Sequence, residues 1–366
     1  MVLRRQGRNW ALLPLLVFQS RKRGDKVEKK PQSSGGSVKG KISKDELKDK
    51  IRGVILAAAC GNSLGGSAIG LNHKEILATA GSSLRDFVPG LTRSVLPDHK
   101  AGEWLPESYL AIELAESLAA SGGKYNRADL KERYVSLLSN EPFLASGPGA
   151  QLLKGLRRMA DGVAPPDKSA GALHVSAASR AFPCACLPDT DEGTRVADTA
   201  VEQAALTHLD KRVYAAAAVL SDSVGFFVRG NKLDTEDQVR EYVRREHALA
   251  EKIDPRFAEA WDDVAPDLDY MNPAAQLPYS LLNIGHEVNE LVPTAVGIFL
   301  IFRHNLEEAI CHAAVAGGET DTLGIIVGAL AGGYHGASQI PERWLEKIAN
   351  RERLEDVAEK LFDMWP

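Results

Sequence analysis

Alternating apolar and polar residues, the mark of a half-buried strand, are nearly absent from this 366-residue chain. That absence argues against a sheet-built architecture. No Gly-x-Gly-x-x-Gly follows a strand pattern, which makes a nucleotide-binding α/β fold a poor reading. No segment repeats at a fixed period, so repeat architectures fall away as well. The four cysteines, Cys60, Cys184, Cys186 and Cys311, are too few for a disulfide framework and suit a reducing compartment. Cys184 and Cys186 form Cys-x-Cys, but no second Cys/His pair stands nearby at a zinc spacing, and no zinc site is expected. The apolar run Trp10–Phe18 has nine residues and is too short to span a bilayer. With a net charge of −5, the chain lacks the basic surplus of a nucleic-acid binder.

What is present is an ordinary soluble composition, 44% hydrophobic and 25% charged. Residues 1–42 stand apart. Arg4, Arg5, Arg8, Arg21, Lys22 and Arg23 all precede the first acid, Asp25. A basic, disordered cytosolic tail, continued by Pro31 to Gly36, is one reading. An Arg-rich, acid-poor mitochondrial presequence is another. A short signal peptide fits less well, because no small-x-small site follows Phe18. The expected compartment is cytoplasmic, with mitochondrial as the alternative.

From Ser43 onward the signals are helical. Ser43-x-x-Glu46 reads as a capping box, followed by Leu47, Ile51, Val54, Ile55 and Ala58 at helical spacing, with a stop near Gly61 or Gly65. Pro106 opens a second helix striped by Leu110, Leu114 and Leu118 and closed by Gly122-Gly123. Asn126 caps a third, with Leu130, Tyr134, Leu137 and Leu138 inside. Thr235-x-x-Gln238 and Asn305-x-x-Glu308 mark two more starts. Pro341 begins another, and Arg353–Phe362 reads as the last. Asp161 to Asp167 is a loop rather than a linker. These signals predict one all-α domain over residues 43–366.

The chemistry is concentrated in Ala316-Gly317-Gly318-Glu319-Thr320-Asp321-Thr322-Leu323-Gly324. Two carboxylates and two hydroxyls lie in four residues, ahead of a small-residue apolar stretch, Ile325 to Gly333, that reads as a buried helix. Hard oxygen ligands at that density suit Mg²⁺ or Ca²⁺. An Asp-Thr pair ahead of a helix is equally an ordinary cap.

This run resembles the Gly-Gly-Asp-Thr-Asp-Thr signature of the ADP-ribosylglycohydrolase family, and other segments match in the family's order from about Leu47 to the C-terminus. The resemblance implies a single compact, orthogonal all-α fold. It also implies Mg²⁺-dependent cleavage of the glycosidic bond that joins ADP-ribose to a protein side chain or related acceptor. ADP-ribose or an ADP-ribosylated protein is the implied partner.

This chain departs from the pattern at the ligands. Gly61-Asn62-Ser63 has a neutral amide where the family has an Asp. The family's Thr-Asp-Asp-Thr falls on Leu105, Pro106, Glu107 and Ser108, so two oxygen ligands are gone. Those four residues also make a plain helix start, with Pro106 in the first turn and Glu107 complementing the helix dipole. The usual Asn-Gly has become Val175-Ser176, ahead of a retained Arg180. A β-branched Val175 adds bulk and cannot readily take positive φ. Thr207-His208 matches a family Thr-His, although a lone His there is also read as a packed core residue. Glu319 stands for Asp, which moves its carboxylate outward by about 1.5 Å.

The resemblance therefore yields a candidate set of Asp321, Thr322, Glu319, Glu107 and Ser108 for metal, Glu107 for catalysis, and Asn62, Ser176, Arg180 and His208 for substrate. The losses predict at most one Mg²⁺ ion and a weakly active or inactive protein. An active single-metal hydrolase is one alternative. A structural protein like the family's J-type crystallins and selenoprotein J is another.

Overall fold

The structure is a computed structural model that describes residues 42–81, 84–165, 173–188, 195–261 and 285–366. The basic N-terminal segment 1–41 and residues 166–167 of the expected loop lie outside the described residues. The fold is all-α: among the described residues the only β pairings are two isolated bridges, Asn72 with Gly317 and His174 with Glu287.

Two helices form the centre. Helix α1 (Lys44–Gly66) begins where the Ser43 hydroxyl accepts from the N–H of Glu46. Only this half of the expected capping box forms. The helix does not stop at Gly61 but runs on to Gly66. After α2 (His73–Ala80), helix α3 (Pro106–Ala120) starts on Pro106, and α4 (Arg127–Ser136) is capped by Asn126. Leu137 lies in a 3-10 turn just beyond α4 rather than in it. Short helices α5 (Glu141–Ala145), α6 (Ala150–Ala160) and α7 (Ser176–Ser179) follow. Then come α8 (Arg195–Ala204), α9 (Lys211–Val228), α10 (Glu236–Ile253) and α11 (Pro255–Trp261). Thr235 and Gln238 make a complete capping box on α10. Apolar α12 (Val288–Phe302) and Asn305-capped α13 (Leu306–Ala314) lead to α14 (Thr320–His335), which is buried from Thr320 to Tyr334. The chain closes with α15 (Glu342–Leu345), just after Pro341, and α16 (Arg351–Phe362), two residues earlier than expected.

Helix α14 lies antiparallel against α1, with α13, α12 and α9 around it and α16 and α3 against α1. Glycine is why the two central helices can touch. Residues 53, 57, 61 and 65 of α1 oppose residues 332, 328, 324 and 320 of α14, one helical turn apart on each side. A Cβ on Gly61 would overlap the Gly324 carbonyl, and one on Gly324 would overlap that of Gly61. Gly53 and Gly332 exclude side chains in the same way, and Gly65 packs on the carbonyl of Thr320. Gly61 is thus a contact residue rather than a helix stop, whereas Gly65 is a contact residue one position before the helix ends at Gly66.

The far end of the pair is closed by a buried cation. Lys50 of α1 donates to the carbonyls of Gly333 (3.0 Å) and Tyr334 (2.8 Å) at the C-terminus of α14. These carbonyls have no partner within the helix. Burial, with Lys232 nearby, lowers the Lys50 pKa from 10.5 to about 8.

Two expected outcomes follow from this packing. Gly61→Ala forces backbone against backbone, so it should destabilise by about 3 kcal/mol or more in denaturant unfolding. Gly155→Ala in α6, where a Cβ meets nothing within 4 Å, should stabilise by about 0.5–1 kcal/mol through helix propensity. Equal effects at the two sites would refute the close-contact account. For Lys50, the ammonium is charged in both folded and unfolded chains below about pH 8. Between about 8 and 10.5 the folded protein has released a proton that the unfolded chain still holds, so unfolding becomes harder as pH rises. The stability of the wild type relative to Lys50→Met should therefore increase from pH 7.5 to pH 9.5, by roughly 1 kcal/mol or more. A flat difference would show that the amine is not held in a desolvated site.

Candidate functional site

The N-terminal end of α14, the C-terminal end of α1 and the N-terminal end of α3 meet at one place, and Asn62 joins them. Its Oδ1 accepts from the Leu105 N–H (3.0 Å) and the Ser108 hydroxyl (2.7 Å). Its Nδ2 donates to the Asp321 carbonyl at 3.4 Å. Asn62 is fully buried, and both it and Ser108 lie behind the wall of the cavity described below rather than on it. Thr320 adds a further tie, donating to the Gly65 carbonyl at 2.7 Å.

The loop before α14 is held in place by backbone pairing. Gly70 donates to Gly318 (2.8 Å), and Gly318 donates to Leu71 (2.9 Å). Gly317 and Gly318 adopt φ of 99° and 70°, a region that glycine enters without strain. Helix α14 starts at Thr320, so Asp321 and Thr322 stand inside its first turn, and the N-cap residue Glu319 makes no side-chain cap bond. The ordinary-cap reading of this run is thereby replaced. Thr322 is buried.

A cavity of about 380 Å³ opens over this junction, a size that ligand sites commonly have. Glu107, Glu319 and Asp321 line it at one end. Leu105 and Pro106 line it too, and bring no oxygen ligand from their side chains. Glu107 Oε2 and Asp321 Oδ1 are buried and have no hydrogen-bond partner. Burial, and then the neighbouring carboxylates Glu107 and Glu319, raise the Asp321 pKa well above the usual carboxylate range. Glu107 is raised as well, chiefly by burial, with Glu319 adding to it. Three acids facing one cavity repel each other, and a cation or shared protons would relieve that repulsion. Among the described residues, no three His, Cys, Asp or Glu side chains are arranged to hold a metal ion by themselves.

The other side of the cavity is cationic and imidazole-rich. Arg180 is almost fully buried, and among the described residues its guanidinium has no carboxylate partner. It donates to the Gln203 side chain (3.0 Å), the Ser176 carbonyl (3.3 Å) and the Thr207 hydroxyl (2.6 Å), and it lies over the Tyr134 ring. The Thr207 hydroxyl stands 2.8 Å from His208 Nδ1. Burial, aided by Arg180, depresses the His208 pKa to about 3, so this imidazole is neutral at physiological pH. Ser176 and His208 both face the cavity, whereas Val175 is buried behind it with φ of −67° and shows no strain.

Some lining residues had no role in the sequence reading. His174 and His286 stack with ring centroids 5.8 Å apart, and His286 Nδ1 lies 3.2 Å from Glu319 Oε1. Val175 donates to the His286 carbonyl, and Val288 to that of Leu173, which pairs two segments far apart in the chain. Nothing in the local spacing signals that pairing. Arg158, Gln151 and Leu152 enter from α6, whose faces were not assigned from the sequence.

An all-helical fold with an acid-floored, ligand-sized cavity at the ends of three helices is the class this architecture defines. A family model of the ADP-ribosylglycohydrolases matches residues 43–366, and the chain belongs to that family. It is 27% identical over 330 residues to an uncharacterised protein of Archaeoglobus fulgidus, covering 87% of this chain and 97% of the other. It is 23% identical to the ADP-ribosylhydrolase ARH3 of Xenopus tropicalis, over 86% of this chain and 95% of that one. Among solved structures, an ADP-ribosylglycohydrolase-related protein complex aligns with a TM-score of 0.65 at 22% identity, covering 87% of this chain and 99% of the other. No helix among the described residues is long and apolar enough to cross a membrane.

Asp321 is the residue to test first. Asp321→Asn keeps shape and removes charge. Any rise in melting temperature produced by Mg²⁺ or Ca²⁺ should vanish in the variant. Thermal unfolding with and without the ion measures this, and an undiminished rise in Asp321→Asn would place the ion elsewhere.

Proposed function

We propose that this chain binds ADP-ribose, or ADP-ribose attached to a protein, and hydrolyses it weakly or not at all. In this reading residues 43–366 act as one domain, and the protein holds at most one Mg²⁺. The observation that carries it is the wall of the cavity at the start of α3, where Leu105 and Pro106 bring no side-chain oxygen and Glu107 is the one acid present.

The donors that remain suit one hard cation. Glu107 Oε2 and Asp321 Oδ1 are orphaned and buried, and Glu319 lines the same end of the cavity. Mg²⁺ commonly takes one or two carboxylates and completes its shell with water and ligand oxygens. Glu107, Asp321 and Glu319 would be the residues to hold it; Thr322 is buried and does not line the cavity. A bound ion would supply charge stabilisation at the bond being cleaved. Two ions have no comparable support, because Asn62 and Ser108 are engaged with each other behind the wall.

Ligand binding draws on the other side. The buried, carboxylate-free guanidinium of Arg180, the neutral His208 and the Ser176 backbone form a polar surface suited to an anionic or hydroxyl-rich ligand. An active single-metal hydrolase is the second reading, favoured by the three carboxylates that still face the cavity. A purely structural, crystallin-like role makes no use of a cavity of about 380 Å³ that holds the orphaned carboxylate oxygens of Glu107 and Asp321. A cytoplasmic setting, with mitochondrial as the alternative, goes with this reading; four free, buried cysteines support a reducing one.

Two measurements test the proposal. Calorimetric titration should show ADP-ribose binding that Mg²⁺ strengthens, with no more than one ion per chain by elemental analysis. Turnover of ADP-ribosyl-arginine and ADP-ribosyl-serine should fall far below about 1 s⁻¹. Two tightly bound ions, or turnover at an ordinary enzyme rate, would overturn it.

A further inference from the structure

Beside the main cavity lies a second one, of about 270 Å³, whose charged lining residues are all cations among the described residues. Arg127 and Lys131 of α4 and Arg158 of α6 line it, and among the described residues no Asp or Glu does. None of the three cations forms an ion pair among the described residues. Arg127 is exposed, while Lys131 and Arg158 are half-buried. Such a concentration of unpaired positive charge in a concave site attracts a compact anion.

The two cavities are contiguous. Gly155, Arg158 and Thr207 line both. Gly155 sits in the interior of α6, where glycine costs about 1 kcal/mol relative to alanine. Packing does not require it, since an added Cβ would meet no atom within 4 Å. Gly155 leaves open space where the linings of the two cavities meet. Carboxylates lie at one end of the joined groove and cations at the other.

We propose that the second cavity is a phosphate subsite, so that the preferred ligand carries a phosphate at the end remote from Glu107, Glu319 and Asp321. The identity of the rest of that ligand rests on the ADP-ribose reading above; the subsite itself does not. The chemical class is a nucleotide-sugar bearing an additional phosphate on its far nucleoside, as distinct from free phosphate or diphosphate binding alone.

Calorimetry on the full chain distinguishes these with three probes: inorganic pyrophosphate, ADP-ribose, and ADP-ribose with a 2′-phosphate on its adenosine. The wild type should bind the 2′-phosphorylated form at least about tenfold more tightly than ADP-ribose. Arg127→Ala/Lys131→Ala should erase that preference and leave ADP-ribose affinity unchanged. Gly155→Leu should also erase it, while pyrophosphate still binds. The proposal is overturned by a wild type without the preference, by a preference that survives either variant, or by a double variant that loses ADP-ribose affinity too. If ADP-ribose does not bind the wild type at all, the functional reading above fails. Pyrophosphate then decides the subsite: about tenfold weaker binding in the double variant upholds it, and unchanged binding overturns it.

Discussion

Backbone-to-backbone contact between α1 and α14 is the constraint on which the rest of this molecule depends. Four positions on each helix, spaced one turn apart, oppose one another with no room for a side chain at the glycines. Close approach maximises dispersion contact between two long buried surfaces. It also fixes the register of the pair, since a slip of one turn would bring each glycine against a different carbonyl. Register matters because the site is built at one end of this pair. Asn62 on α1 can reach the Asp321 carbonyl, and Thr320 can reach the Gly65 carbonyl, only in this alignment.

The same geometry explains how buried charge is tolerated. At one end of the pair, Lys50 neutralises the C-terminal carbonyls of α14. At the other, Asp321 and Glu107 lie at helix N-termini, where the helix dipole favours negative charge. That help is incomplete, since each has a buried carboxylate oxygen without a partner. Across the cavity, Arg180 is held by amide, carbonyl and hydroxyl oxygens instead of by an acid. Carboxyl groups and a guanidinium thus line one cavity without pairing with each other. A cavity polarised in this way is suited to a ligand that carries both an anionic part and a cation, and it extends past Gly155 toward further positive charge.

Membership of the ADP-ribosylglycohydrolase family sets this arrangement in relief. The chain has the all-helical frame, with carboxylates near α14, an amide at 62, a leucine at 105 and a proline at 106. The frame tolerates these because each fills a structural role. Asn62 makes three hydrogen bonds that hold α1, α3 and α14 together. Leu105 is buried, and Pro106 occupies the first helical turn, where its missing N–H has no intrahelical partner to lose.

Helical character was legible locally. Caps at Asn126, Thr235 and Asn305 and the stripes of Leu110, Leu114 and Leu118 depend on neighbours within one or two turns, so the sequence by itself carried them. The oxygen-rich run at residues 319–322, ahead of a small-residue apolar stretch, was legible for the same reason. The meaning of Gly61 was not: taken locally, glycine ends a helix, and only the approach of a helix some 260 residues away in sequence turns it into a contact residue, as Gly324 shows. Nor could spacing reveal that His286 meets His174, or that Arg158 stands at the junction of two cavities. Local hydrogen bonding and periodicity determined what each segment would become. Long-range packing decided which side chains share a cavity, because no interaction within a segment encodes what will stand across from it.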